Sequence, residues 1–196
     1  MPKVVGAELI AAAITGKVVS FPTDTVPALA VLPQFAASIF AAKQRPVNKP
    51  LILMSANADE LWSYVAGTSE ELSIWQEIGN KYWPGAVTLV LPAAAIVPAG
   101  VNPSDRTTIG IRIPSQSIAL EILAQTGVLA TTSANLSGEP PLEIMSEIAI
   151  AFPEVFTLDC DKLETKSKLG GGMPSTVVKW TNGNWQVLRQ GSVIWS

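Results

Sequence analysis

The chain has 196 residues, of which 48% are hydrophobic and only 15% charged, and its net charge is −3. That length predicts a single domain over residues 1–196 with enough apolar side chain for a substantial core, at a charge fraction below the roughly 25% usual in soluble proteins. Histidine is absent and Cys160 is the sole cysteine, which excludes Ser-His-Asp and Cys-His nucleophiles, HExxH and cysteine-cluster zinc sites, and intrachain disulfides.

Chemistry in such a chain rests on positioning and electrostatics from Lys, Arg, hydroxyls, amides and backbone N–H groups, or on a metal ion held by oxygens. No apolar run reaches the ~18 residues of a membrane span, and the first residues lack the long apolar region of a signal peptide. The expectation is a cytoplasmic protein without a membrane partner. With 13 Lys+Arg against 16 Asp+Glu, a surface that grips a long duplex through its phosphates is disfavoured. A small basic pocket remains compatible.

In chain order, Gly6 to Ile14 reads as an Ala-rich helix stopped by Gly16. Lys17 to Phe21 reads as a strand running into the hydroxyl-dense loop Pro22-Thr23-Asp24-Thr25. A helix is expected over Phe35 to Lys43 and a buried strand over Leu51 to Met54. Helices follow over Asn57 to Val65 and Ser69 to Tyr82, the second with Ser69 as N-cap and acids in its first turn. Pro84-Gly85 turns the chain into a strand, Ala86 to Leu91. Ala93 to Thr107 reads as loop, Thr108 to Ile113 as a strand with Gly110 inside it, where a backbone or ligand approaches closely. A helix over Ile118 to Ala124, a strand over Val128 to Thr132 and a helix over Leu142 to Phe152 come next. Thr176 to Trp180 and Trp185 to Arg189 pair as a hairpin across Asn182-Gly183. Alternating helices and strands with a late hairpin predict an α/β fold with mixed strand directions.

Three cations, Lys43, Arg45 and Lys49, fall within seven residues of a charge-poor chain. They suit a helix C-terminus as such, but Pro46 and Pro50 stiffen the segment and favour an anion site, with Arg as a planar fork and Lys as a point charge. Ser133 and Asn135 read as a turn or cap, yet they stand at the C-terminal end of a strand, a frequent ligand position in α/β sheets. Thr23 and Thr25 also follow a strand and are either ordinary loop hydroxyls or contacts to a small metabolite. Arg112, inside an apolar strand, needs a partner: an internal salt bridge or a ligand carboxylate. Gly170-Gly171-Gly172 lacks the lysine and spacing of a Walker A loop, and linker flexibility is its simpler reading. Arg189 is either a surface residue or part of the basic pocket.

In this order the segments Phe21-Pro22-Thr23-Asp24-Thr25-Val26, Lys43-Gln44-Arg45-Pro46 with Lys49-Pro50-Leu51, Trp83-Pro84-Gly85, Thr108 to Pro114, Thr132 to Gly138, Pro174 to Val178 and Val187 to Gly191 resemble the YrdC-type threonylcarbamoyl-AMP synthase family. The resemblance implies a YrdC/RibB-like twisted mixed β-sheet flanked by helices, with a concave, positively charged cleft. It implies that L-threonine, bicarbonate or CO2, and ATP give threonylcarbamoyl-AMP and pyrophosphate, for threonylcarbamoyladenosine modification of tRNA. Carried over by motif, Lys43, Arg45, Lys49, Thr108, Ser133, Asn135 and Arg189 face ATP, with Lys43 and Arg45 catalytic. Thr23, Thr25, Arg112, Thr131 and Ser175 face threonine. Mg²⁺ rides on the ATP phosphates with no protein ligand, and tRNA or tRNA-modification proteins are implied partners. The chain departs from the family pattern at Pro27-Ala28-Leu29-Ala30, where Tyr-Gly-Leu-Gly is usual, at Met54, where many members have histidine, and at Lys179, often aspartate. Two alternatives stand beside this one. One is a non-catalytic module of the same fold that binds RNA, including double-stranded RNA; the other is a paralogue acting on another carbamoyl adenylate.

Overall fold

A computed structural model describes residues 3–44, 49–160 and 170–196. Among these residues ten strands form one mixed sheet: β1 (Lys3–Val4), β2 (Val19–Phe21), β3 (Ala28–Val31), β4 (Ile52–Met54), β5 (Val87–Pro92), β6 (Thr108–Arg112), β7 (Leu129–Ser133), β8 (Phe156–Leu158), β9 (Thr176–Thr181) and β10 (Asn184–Arg189). Their spatial order is β1-β8-β2-β3-β7-β4-β6-β5-β9-β10. The pairs β1/β8, β2/β8, β4/β6 and β5/β9 are parallel and the rest antiparallel. The helices are α1 (Gly6–Ile14), α2 (Ala37–Ala42), α3 (Ala58–Trp62), α4 (Ser69–Tyr82), α5 (Ser117–Thr126) and α6 (Met145–Ala151).

The helices make two separate cores. Leu9 and Ala13 of α1, Ile122 and Leu123 of α5, and Ile148 of α6 pack with Val19, Phe21 and Leu158. Ile39 of α2, Leu61 of α3 and Trp75 of α4 pack with Leu53, Leu89, Leu91, Ile109, Ile111 and Val178. Side chains alternate across a strand, so the residues between those last six point the other way. Ile52 and Met54, Thr88 and Val90, Thr108, Gly110 and Arg112, and Val177 and Lys179 accordingly line a common cavity. One face of the central sheet is thus spent on a helix-covered core, and the opposite face is left for a ligand.

Several boundaries differ from the sequence expectation for local reasons. The expected helix from Phe35 begins as a 3-10 turn, Pro33–Phe35, and α2 starts only at Ala37. The N-cap of α4 is Thr68, not Ser69: Thr68 and Glu71 form a reciprocal capping box, which satisfies two orphan donors at once. The helix expected from Leu142 begins at Met145, because Leu142 N–H donates instead to the Ala134 carbonyl. Strands β1, β3 and β8 have no counterpart in the sequence reading. The Ala-rich β3 carries little β propensity, but it is buried throughout and paired antiparallel on both sides. The hairpin turn is as expected, with φ of 51° at Asn182 and 78° at Gly183.

Candidate active site

The cavity is about 740 Å³, within the range of small-molecule sites. Its floor is the exposed face of β4, β5, β6, β7 and β9. Its walls come from the loops after β2, β6's preceding turn and β7, and from the end of β10. Of the expected site residues, Thr25, Lys49, Thr108, Arg112, Thr131, Ser133, Asn135, Ser175 and Arg189 line it. Thr23 and Lys43 do not. Arg45 lies outside the described residues.

Arg112 has the internal partner that a buried cation needs. It is only 2% exposed, and its Nη2 donates to Asp24 Oδ1 at 2.8 Å, its Nη1 to Thr25 Oγ1 at 3.0 Å and its Nε to the Gly85 carbonyl at 2.9 Å. Burial pushes its pKa down and the Asp24 carboxylate pushes it back up. Thr23 Oγ1 donates to the Val26 carbonyl at 2.7 Å and lies 3.0 Å from Thr25 Oγ1. Its single proton is therefore used, and Thr25 is the donor between the two hydroxyls. The order Arg112, Thr25, Thr23, Val26 carbonyl is fixed by donor arithmetic. Thr23 supports the wall from behind rather than forming it.

Lys43 is placed differently from expectation. It is fully buried, and its Nζ donates to the Ser133 carbonyl and, at 3.1 Å, to Asn135 Oδ1. Ser133 Oγ donates to the same Oδ1 at 2.6 Å, while Asn135 Nδ2 donates to the Leu136 and Glu139 carbonyls at 2.7 and 2.8 Å. The Asn135 amide is thereby consumed by its own loop. The physical reason is a loop that leaves the sheet with several backbone carbonyls facing inward, which need donors. Lys43 and Asn135 supply them and hold Ser133 at the cavity edge.

The opposite wall is a second network. Arg189 Nε and Nη2 donate to the Ser175 carbonyl at 3.2 and 3.0 Å, and Ser175 Oγ lies 2.9 Å from Thr88 Oγ1. Partial burial lowers the Arg189 pKa. The register of β10 shifts between Val187 and Arg189, so that Val187 faces Val178 but Arg189 faces Val177. Val178 belongs to the helix-covered core and Val177 to the cavity. This bulge therefore re-aims Arg189 into the cavity. The glycine run, expected as a linker, instead docks: Gly171 and Gly172 N–H donate to the Asp24 and Thr25 carbonyls at 3.0 Å each. At Gly170, with φ of +128°, a Cβ would come within 2.6 Å of the Thr23 and Thr25 carbonyl oxygens.

Asn102, Asp105, Thr88, Glu139 and Lys179 also line the cavity and were not among the expected residues. Asp105 Oδ1 accepts from Thr107 N–H at 3.0 Å and Asp105 Oδ2 from Thr108 Oγ1 at 2.9 Å. Hydrogen bonds from the Thr107 side chain and backbone, with smaller help from Thr108 and Lys179, hold its carboxyl below the ordinary range. The Asp-x-Thr spacing is an Asx-turn signal and was legible; the approach of Lys179 was not.

A family model named Sua5_yciO_yrdC and described as telomere recombination matches residues 12–191. The chain belongs to the Sua5/YciO/YrdC family. Threonylcarbamoyl-AMP synthase of Pyrococcus abyssi is 32% identical over 182 residues, 91% of this chain and 51% of that relative. The synthase of Pseudoalteromonas translucida is 34% identical over 183 residues, covering 89% and 94%. Pyrococcus abyssi Sua5 complexed with L-threonine superposes with a TM-score of 0.79 at 28% identity, over 97% of this chain and 56% of that one. The chain thus spans about half the length of the Pyrococcus relative and nearly all of the Pseudoalteromonas one. The expected twisted mixed sheet flanked by helices is the family's fold. No helix among the described residues is long and apolar enough to cross a membrane.

Proposed function

We propose that this chain is an L-threonylcarbamoyladenylate synthase, acting in the cytoplasm and supplying threonylcarbamoyl-AMP for adenosine modification in tRNA. The observation that carries the reading is the meeting, in one cavity, of a held guanidinium (Arg112) with two further cations, Lys49 and Arg189. A carboxylated amine and a polyphosphate need those two features side by side. The relatives named threonylcarbamoyl-AMP synthase support the same assignment.

In this reading Arg112 receives the threonine carboxylate on N–H groups not spent on Asp24, Thr25 and Gly85. Thr25 and Thr131 flank the side-chain end. The threonine amine adds to CO2, forming a C–N bond and releasing a proton to solvent. A carbamate oxygen then attacks the α-phosphorus of ATP, and the bond to the β-phosphate oxygen breaks, releasing pyrophosphate. That step needs charge neutralisation and alignment more than a strong protein base. Lys49 and Arg189 neutralise the phosphates, with Arg45 as a further proposed contact. Ser133 and Thr108 bring hydroxyls, and Lys43 acts by bracing the Ser133–Asn135 loop. Mg²⁺ enters as the counterion of ATP. Asp105 is committed to Thr107 and Thr108, so among the described residues the wall brings only Glu139 as a carboxylate outside that turn. When bound, the ion shields phosphate charge.

Met54 and Ala28 in the cavity wall favour one second reading, a paralogue that adenylates the carbamate of another amino acid. A pyrophosphate-release assay with threonine and bicarbonate tests the first. Release that depends on both supports it. Release with another amino acid in place of threonine would move the assignment to the paralogue, and no release with any would end both.

A further inference from the structure

We infer that Lys179 is a further contact to the phosphate chain of the nucleotide, an inference that rests on the proposed ATP site. Lys179 stands on β9 opposite Val90 of β5. Val90 pairs with Gly110 of β6, Gly110 with Ile52 of β4, and Ile52 with Thr131 of β7. These five residues form one row across the cavity floor, and all of them line it. The row begins with an ammonium and ends with a hydroxyl, and between them lie only apolar side chains and a glycine. Gly110 brings no side chain, and a Cβ there would come within 2.7 Å of Ile52 Cγ2. The space over Gly110 is thus filled by Ile52, and the apolar side chains of this row give the Lys179 ammonium no acceptor.

Lys179 is half-buried, and among the described residues its Nζ has no hydrogen bond or ion pair within 4 Å. It acts through space on Asp105, whose carboxyl it helps hold in the ionised form. That carboxylate is already occupied by Thr107 and Thr108. A half-buried lysine without a protein acceptor keeps its ammonium available to a ligand. An anionic oxygen in the cavity supplies the missing acceptor through a charge-assisted hydrogen bond. Among the described residues, four cationic side chains line the cavity (Lys49, Arg112, Lys179, Arg189) against two carboxylates (Asp105, Glu139). Asp24 neutralises Arg112 from behind, so Lys179 is a large part of the charge left for phosphates.

The test is isothermal titration of wild type, K179M and K179R with sodium tripolyphosphate and, separately, with adenosine, at fixed Mg²⁺ and ionic strength. K179M keeps the packed stem and loses only the charge. The expected result is tripolyphosphate binding about tenfold weaker in K179M, near wild type in K179R, and adenosine binding equal in all three. Equal tripolyphosphate affinity in wild type and K179M overturns the inference, leaving the synthase reading intact. A loss confined to adenosine also overturns it, by moving Lys179 to the nucleoside end. Wild type that binds neither ligand overturns the ATP site itself, and this inference with it.

Discussion

Asp24 holds Arg112 in place, and Arg112 is the side chain on which the amino-acid end of the cavity depends. The pair is 2.8 Å apart, with side-chain exposures of 3% for Arg112 and 15% for Asp24. Removing one partner strands the other, which costs about 3 kcal/mol or more for a buried pair. Asp24→Ala is expected to lower the unfolding free energy by about that amount in urea melts, and to raise the threonine KM more than the ATP KM. A threonine KM equal to wild type would show that Arg112 does not need Asp24 for its aim. The sequence flagged Arg112 as a cation needing a partner, but could not say which acid. Asp24 is 88 residues away, and only the docking of the β2–β3 loop against β6 brings them together.

Elements decide which of these side chains reach the cavity. Gly191 closes the β10 segment onto Pro174–Thr176, and its N–H donates to Thr176 Oγ1 at 2.9 Å. A Cβ at Gly191 would overlap the Pro174 carbonyl and the Ser175 backbone. Gly191→Ala is expected to push Ser175 and Arg189 out of register, lowering both Tm and nucleotide affinity; thermal melts and titration with ATP read the two effects. Helix α4 gives a prediction with a sign. Glu71 accepts from Thr68 N–H and from Trp180 Nε1, both at 3.0 Å. The Thr68 backbone hydrogen bond, then that of Trp180, lowers its pKa in the folded chain. A lowered folded pKa means stability present at neutral pH and lost as pH falls through it, below the ordinary carboxylate range near about 4. Unfolding free energy is expected to decline there in wild type and to decline less in Glu71→Gln. Chain-local signals located α1, α4 and the Asn-Gly hairpin well. They missed β3, whose alanines become strand only because partners pair on both edges, and the β10 bulge, which depends on what lies across the ladder.

At the scale of the molecule, the cavity is built on five strands of a single sheet that also holds both cores. Ligand binding and global folding are therefore linked. ATP at 100 times its Kd is expected to stabilise the chain by about 2.7 kcal/mol, a Tm rise of about 5–10 °C for a chain of this size. A thermal-shift titration measures it; an unchanged Tm at saturating ATP would contradict a site built on the sheet. The sequence by itself determined the excluded chemistries, the α/β class, the family and several residues of the cavity wall. These depend on residue type, local periodicity and motif order, all of which are written along the chain. Tertiary structure alone decided that Lys43 and Asn135 serve the loop they build, that Asp24 is the partner of Arg112, and that Lys179 joins the wall. Burial and donor satisfaction are properties of what surrounds a residue in space, and for these side chains the surroundings come from distant parts of the chain.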